Sequence, residues 1–355
     1  MLKILPYLKL CVEKNGSDLF FTANAPAQLK VDGELLAVGK NVMTGEFIKE
    51  LAYSILEPDQ QRHLEQHKEI DLATEAGGLG RFRVNIFNQR GSLAMVLRYV
   101  KSQVPRLDDI NGMPPVLKDL IQYKRGLVLM VGATGSGKST TLAAMINHRN
   151  ETTSGHILTI EDPVEFIHPN RKSIVNQREV GQDTVSYERA LKSSLREAPD
   201  VILIGEVRTR ETMDACIQLA NTGHLAISTL HANNAYQALQ RIVNLYPEEL
   251  RPQLYMDLSL TLRGIVSQRL VRRKDGKRAA AVEVMINTPY IQDLILNQRI
   301  DEVKEAMNQS SDRGMQTFDA SLYALYTSGT ITMEEALSNA DSRTNLEAKI
   351  NFGGG

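Results

Sequence analysis

The sequence predicts an α/β chain: a parallel sheet of short buried strands alternating with helices over residues 116–355, preceded by a smaller α+β domain over 1–100 and a linker at 101–115. Three observations predict it. First, residues 127–131, 157–160, 201–204 and 225–230 are short, almost wholly apolar runs, as expected of strands covered on both faces. Second, the first of these runs leads into a glycine-rich turn and then into good helix formers with an apolar face at Leu142 and Ile146. Third, residues 81–87 alternate instead, with Phe82, Val84 and Ile86 on one face and Arg81, Arg83 and Asn85 on the other. Residues 88–91 read as a turn and 93–99 alternate back, giving an antiparallel hairpin.

In chain order, residues 2–12 have helical apolar spacing, interrupted early by Pro6. Residues 18–22 and 27–31 look like short strands, the second followed by a turn at Asp32-Gly33. Phe47, Ile48, Leu51, Ala52 and Ile55 repeat at helical spacing up to Pro58, and a more polar helix follows over 59–66. Pro105, Asn111-Gly112 and Pro114-Pro115 punctuate the linker. Toward the end, Asp275-Gly276 within the basic stretch 263–278 suggests a hairpin with a charged tip, and residues 290–296, 300–307 and 318–326 read as helices.

The glycine-rich turn is Gly132-Ala133-Thr134-Gly135-Ser136-Gly137-Lys138-Ser139-Thr140, which fits G-x-x-x-x-G-K-[ST] in the strand–turn–helix context that gives the pattern its meaning. Glycines let backbone N–H groups turn inward around phosphate oxygens, and the start of the helix adds partial positive charge. Lys138 is expected to reach the β- and γ-phosphates, with the Ser139 hydroxyl on Mg²⁺. The other strand runs stop at polar groups: Glu161 and Asp162, Glu206, and His231. Chemistry in an open α/β sheet collects at the carboxyl ends of the strands. Glu206, after four apolar residues, is expected to hold Mg²⁺ directly or through water. Glu165, beyond Pro163, is a candidate to orient or deprotonate an attacking water, and His231 a candidate sensor of the γ-phosphate. The arginines of the hairpin suit a solvated sheet face, or phosphate contacts supplied from another domain.

Lys plus Arg (41) nearly balances Asp plus Glu (42), so no global field draws the chain to nucleic acid or anionic lipid. The two cysteines, Cys11 and Cys216, imply neither a disulfide framework nor a cysteine-based zinc site. No apolar run reaches membrane-spanning length and no signal-peptide layout opens the chain, so a cytoplasmic location is expected, with peripheral membrane docking left open.

The phosphate loop, residues 159–165, 205–208 and 222–231 match, in order, the Walker A, aspartate, Walker B and histidine boxes of the secretion-superfamily ATPases. Within that superfamily the chain resembles the type IV pilus retraction ATPases from end to end. The resemblance implies a PAS-like N-terminal domain, a RecA-like ATPase domain and a ring-shaped homohexamer that hydrolyses ATP with Mg²⁺ between subunits. It also implies Glu165 as general base, Glu206 on magnesium, and Arg81, Arg83 and Arg98 supplied to the phosphates by a neighbouring subunit. Where the main retraction motors carry AIRNLI, this chain has Tyr290-Ile291-Gln292-Asp293-Leu294-Ile295, which points to the accessory branch of the family. Expected partners are the related main retraction ATPase and the inner-membrane pilus platform protein, with no nucleic acid. Two rivals remain at this stage: an adaptor that reinforces the main motor with hydrolysis secondary, and a nucleic-acid-translocating ATPase, supported only by the basic hairpin tip.

Overall fold

A computed structural model describes residues 3–31, 33–100, 103–310 and 314–353. Asp32 of the expected turn and the first two residues of the expected linker lie outside the described residues. The chain divides into two compact units, Met1–Gln103 with Glu165–Ile167, and Val104–Val164 with His168–Gly355.

The first unit contains helix α1 (Leu5–Glu13), strands β1 (Asp18–Phe21), β2 (Ala27–Val31) and β3 (Glu34–Val38), helices α2 (Gly45–Tyr53) and α3 (Pro58–His67), and strands β4 (Glu69–Ala76), β5 (Gly80–Gln89) and β6 (Ser92–Val100). Pro6 does not interrupt α1. It occupies the first turn, where its missing N–H would have had no partner anyway. Thr44 caps α2 by accepting from Phe47 N at 3.1 Å. The six strands form one antiparallel sheet in the order β3-β2-β1-β6-β5-β4. The alternation of β5 is realised: Phe82, Val84 and Ile86 are buried, packing with Leu97, Ile48 and Leu51 in the core of this unit. This is the α+β arrangement expected of the N-terminal part.

The second unit contains α4 (Val116–Leu120), β7 (Gly126–Val131), α5 (Lys138–Thr152), β8 (Gly155–Glu161), β9 (Ser173–Glu179), α6 (Tyr187–Ser194), β10 (Val201–Ile204), α7 (Arg210–Asn221) and β11 (Leu225–Leu230). It continues through α8 (Ala235–Asn244), α9 (Arg251–Thr261), β12 (Leu262–Arg272), β13 (Arg278–Ile286), α10 (Pro289–Leu296), α11 (Val303–Gln309), α12 (Phe318–Thr327), α13 (Met333–Ser338) and α14 (Arg343–Phe352). The seven-stranded sheet runs β13-β12-β7-β11-β10-β8-β9, parallel throughout except for the β12–β13 hairpin. Strand β7 shows why its sequence is a continuous apolar run. Leu127, Leu129 and Val131 pack into a core with Met213, Cys216 and Leu258, while Val128 and Met130 pack into another with Leu142, Met145 and Ile146. A strand covered on both faces has no side left for polar residues. This is a RecA-like phosphate-loop fold. A separate cluster joins Val271, Ala279 and Ala281 of the hairpin to Phe318, Leu322, Leu325 and Leu337 of the last helices.

Candidate nucleotide site

The phosphate loop lies where the expected strand–turn–helix requires it. Strand β7 is wholly buried between β12 and β11, and α5 starts at Lys138, with Gly137 as its N-cap. Gly137 has φ +86°, a left-handed conformation that brings the start of the helix round toward the loop. No side chain caps α5, so the start of the helix keeps its partial positive charge facing the loop. Lys138 Nζ donates to the carbonyls of Gly132 at 2.7 Å and Ala133 at 2.9 Å, folded across the loop. Ser136 Oγ is buried and has no hydrogen-bond partner among the described residues. An uncapped helix start, a lysine ammonium and an orphaned buried hydroxyl suit a polyphosphate, whose oxygens accept from all three. Ala133, Thr134 and Gly135 are exposed at the loop tip, whereas Ser139 and Thr140 are half-buried in the first turn of α5.

Glu206 and His231 are brought together by strand register. Ile204 of β10 is opposite Ser228 of β11, so the residues just beyond the two strands are neighbours. Ser228 Oγ donates to Ile204 O at 2.7 Å, Thr229 Oγ1 to Gly205 O at 2.6 Å, and Val207 N to Thr229 O at 2.9 Å. These bonds hold Glu206 with one carboxylate oxygen 3.2 Å from His231 Nε2. The other accepts from Arg208 Nε at 2.8 Å, with Arg208 Nη2 also at 2.8 Å. The carboxylate is 17% exposed and Arg208 74%, so the arginine can leave without opening the fold.

The end of β8 adds negative charge. Glu161 accepts from Thr159 Oγ1 at 2.6 Å, the Asp162–Pro163 peptide is cis, and Val164 N donates to Glu179 Oε2 at 3.1 Å. Tyr187 lies close by: a Cβ on Gly205 would come within 2.5 Å of its hydroxyl. Burial first, then the carboxylates of Asp162 and Glu161, push that phenol well above its ordinary range. Ser139 in the first turn of α5 and the Glu206 carboxylate are hard-oxygen donors of the kind Mg²⁺ takes. A set this small is chemically reasonable, because Mg²⁺ keeps waters and takes substrate phosphates as ligands. Among the described residues no group of three or more His, Cys, Asp or Glu forms a separate metal cluster.

The remaining candidates belong to the other compact unit. Glu165 groups with it, as do the arginines. Arg83 and Arg98 are directly opposite one another on β5 and β6, and Arg81 is two residues from Arg83 on the same strand face. Arg98 also faces Asp18 on β1 and donates to it through Nε at 2.8 Å. His224, at the start of β11, bonds Leu219 O and Thr222 Oγ1, both at 3.1 Å, and closes the end of α7.

Sequence reasoning passed over two residues. Arg208 was part of a recognised box but had no assigned partner. Gln268 was lost in a stretch read only as basic, although a Ser-Gln pair inside an apolar run is itself a signal, since a polar pair buried in a strand needs partners.

The family model for "Type II/IV secretion system protein" matches residues 4–340. The chain is 51% identical over 347 residues to the type IV pilus ATPase PilU of Pseudomonas aeruginosa, covering 98% of this chain and 91% of PilU. It is 40% identical to the retraction ATPase PilT of the same organism, covering 95% of this chain and 98% of PilT. A crystal structure of the pilus retraction motor PilT with bound ADP superposes with a TM-score of 0.91 at 40% identity, covering 97% of this chain and 98% of that one. With a phosphate loop, an acidic strand end and a histidine strand end in one sheet, and likeness along nearly its whole length, the chain belongs to the type II/IV secretion system protein family and is, within it, a type IV pilus ATPase of the PilT/PilU group.

Proposed function

We propose that the chain is the subunit of a cytoplasmic homohexamer, peripheral at the inner membrane, that retracts type IV pili as an accessory to a related main retraction ATPase, acting on the inner-membrane platform protein. The supporting observation is the phosphate loop and the Glu206–His231 pair at neighbouring strand ends, in a chain half identical to PilU along 98% of its length. The domains are assigned as 1–100, a linker at 101–115, and the ATPase part at 116–355.

In this reading Lys138 exchanges its loop carbonyls for the β- and γ-phosphates of ATP, and the first-turn N–H groups of α5 and Ser136 Oγ hold the same oxygens. Ser139 and Glu206 would hold Mg²⁺, which when bound would supply positive charge to neutralise the phosphates. Glu165 takes a proton from the attacking water as its oxygen bonds to the γ-phosphorus and the bond to ADP breaks. His231, oriented by Glu206, registers whether the γ-phosphate is present. Arg81, Arg83 and Arg98 reach the phosphates from a neighbouring subunit, which ties turnover to assembly.

Pilus retraction in cells lacking this chain tests the reading. The parent chain restores retraction when the main motor is present, whereas Lys138→Ala and Glu165→Gln do not. Glu165→Gln still binds ATP. Full restoration by Lys138→Ala would replace the motor reading with that of an adaptor.

A further inference from the structure

Ser267 of β12 pairs with Val131, the last residue of β7, so Gln268 is the first β12 residue beyond the strand that feeds the phosphate loop. Its side chain is 2% exposed and satisfied at both ends. Nε2 donates to Ser136 O at 2.8 Å, and Oε1 accepts from Thr141 Oγ1 at 2.7 Å. One amide thereby ties the turn of the loop to the first turn of α5. Gln268 also crowds two loop glycines: a Cβ on Gly132 would lie 2.6 Å from its carbonyl oxygen, and one on Gly137 would lie 2.8 Å from its side-chain Nε2. One residue of β12 thus bonds the loop's turn and the first turn of α5, and leaves no room for a side chain at Gly132 or Gly137.

The next residue points the other way, as successive strand side chains do. Arg269 stacks over Phe318 of α12 at 3.8 Å, donates to Asn339 O at 2.8 Å and pairs with Asp341 at 2.7 Å. Further along, Arg272 N donates to Glu335 Oε1 on α13 at 2.8 Å. A loop that closes on phosphate moves the Ser136 carbonyl or the Thr141 hydroxyl, and both hydrogen bonds pass that displacement to β12. The strand cannot shift there without moving a guanidinium seated on the last helices.

We infer that Gln268 is a positioning residue for the nucleotide site and that β12, through Arg269, carries the occupancy of the phosphate loop to helices α12–α14. This rests on the ATPase reading and adds to it a route by which the C-terminal helices respond to nucleotide. It requires packed, hydrogen-bonded contact along the whole path, which the residues above supply.

The test uses the purified full chain with ADP as probe, reading affinity with a fluorescent ADP analogue and hydrogen exchange across residues 318–352. The parent binds ADP, and exchange in α12–α14 changes on binding. Gln268→Ala weakens binding about 5- to 100-fold, the range expected when a buried carbonyl or hydroxyl loses its partner, and abolishes the exchange response. Thr141→Val also weakens binding, and Thr141→Ser restores it. Arg269→Gln loses the exchange response. Parent-like affinity in both Gln268→Ala and Thr141→Val overturns the positioning role, and an exchange pattern in the parent that ignores ADP overturns the relay. If Gln268→Ala fails to fold, Thr141→Val against Thr141→Ser decides the first point and the parent alone decides the second. A parent that fails to bind ADP sinks the nucleotide reading itself, a different result from either.

Discussion

Replacing two glycines of the phosphate loop by alanine separates backbone strain from steric crowding. Gly135 has φ +77° with no atom within 4 Å of an added Cβ, and Gly137 has φ +86° with Gln268 Nε2 at 2.8 Å and the Leu270 methyls at 3.7 and 3.8 Å. Both substitutions incur the left-handed cost of an L-residue, about 1–2 kcal/mol. Gly137→Ala must in addition shift the Gln268 amide nitrogen, which strains its hydrogen bonds of 2.8 and 2.7 Å. Leaving one of those buried partners unsatisfied costs about 1–3 kcal/mol more. The sums are about 1–2 kcal/mol for Gly135→Ala and about 2–5 kcal/mol for Gly137→Ala. At tenfold per 1.4 kcal/mol, these correspond to roughly 5- to 30-fold and 30- to 4,000-fold losses of nucleotide affinity, if the strain falls on the binding-competent loop. Titration of a fluorescent ATP analogue reads both, with circular dichroism confirming that each variant is folded. Equal losses at the two positions, or parent-like binding by Gly137→Ala, would refute the crowding by Gln268 and the reasoning built on it.

Glu206→Gln should reduce phosphate release about 100-fold or more if its charge holds magnesium as proposed. Its melting temperature should stay within about 3 °C of the parent, because an ion pair with an exposed arginine is worth only ~0–1 kcal/mol; a collapse in stability would make Glu206 a scaffold residue. Arg83→Ala or Arg98→Ala subunits, inactive alone, should regain turnover when mixed with Lys138→Ala subunits if the arginines act across a subunit boundary, and no regain at any ratio would argue against that. His168 is buried with Nδ1 lacking a partner among the described residues, and burial lowers its pKa to about 4. Its neutral form is therefore the folded one. Its contribution is fully present above the unfolded value of about 6.5, declines as pH falls, and is lost below about 4, on the order of 3 kcal/mol in all. His168→Gln should flatten the acid limb of the stability profile between pH 7 and 4 relative to the parent, and identical limbs would contradict the assignment.

The parallel sheet was legible because β7, β10 and β11 are apolar on both faces, a pattern with few alternative explanations. The phosphate loop was legible because its glycines are required by backbone geometry. Strand β9 was not legible: residues 173–179 carry Asn176, Gln177 and Arg178, and an edge strand with one neighbour needs no continuous apolar run. Strand β4, at one edge of the first sheet, went unread for the same reason, whereas β3 at the other edge is apolar from Leu35 to Val38 and was passed over despite it. That Glu206 and His231 lie at strand ends was legible, but not that β10 and β11 are adjacent, nor that Arg208 shares the same carboxylate, since a turn side chain's direction leaves no periodic trace. Gln268 is the clearest loss. Its neighbours Arg269, Arg272 and Arg273 gave the segment a basic character, while the fold buries the glutamine and puts it to use on the face opposite Arg269.

Magnesium-dependent phosphate release from ATP, measured side by side for the parent chain and Lys138→Ala at matched folding, tests most directly whether the loop, Glu206 and His231 form one ATP-cleaving site. Steady release by the parent and none by the variant is the expected result. Undiminished release by Lys138→Ala, or none from a folded and assembled parent, would contradict it.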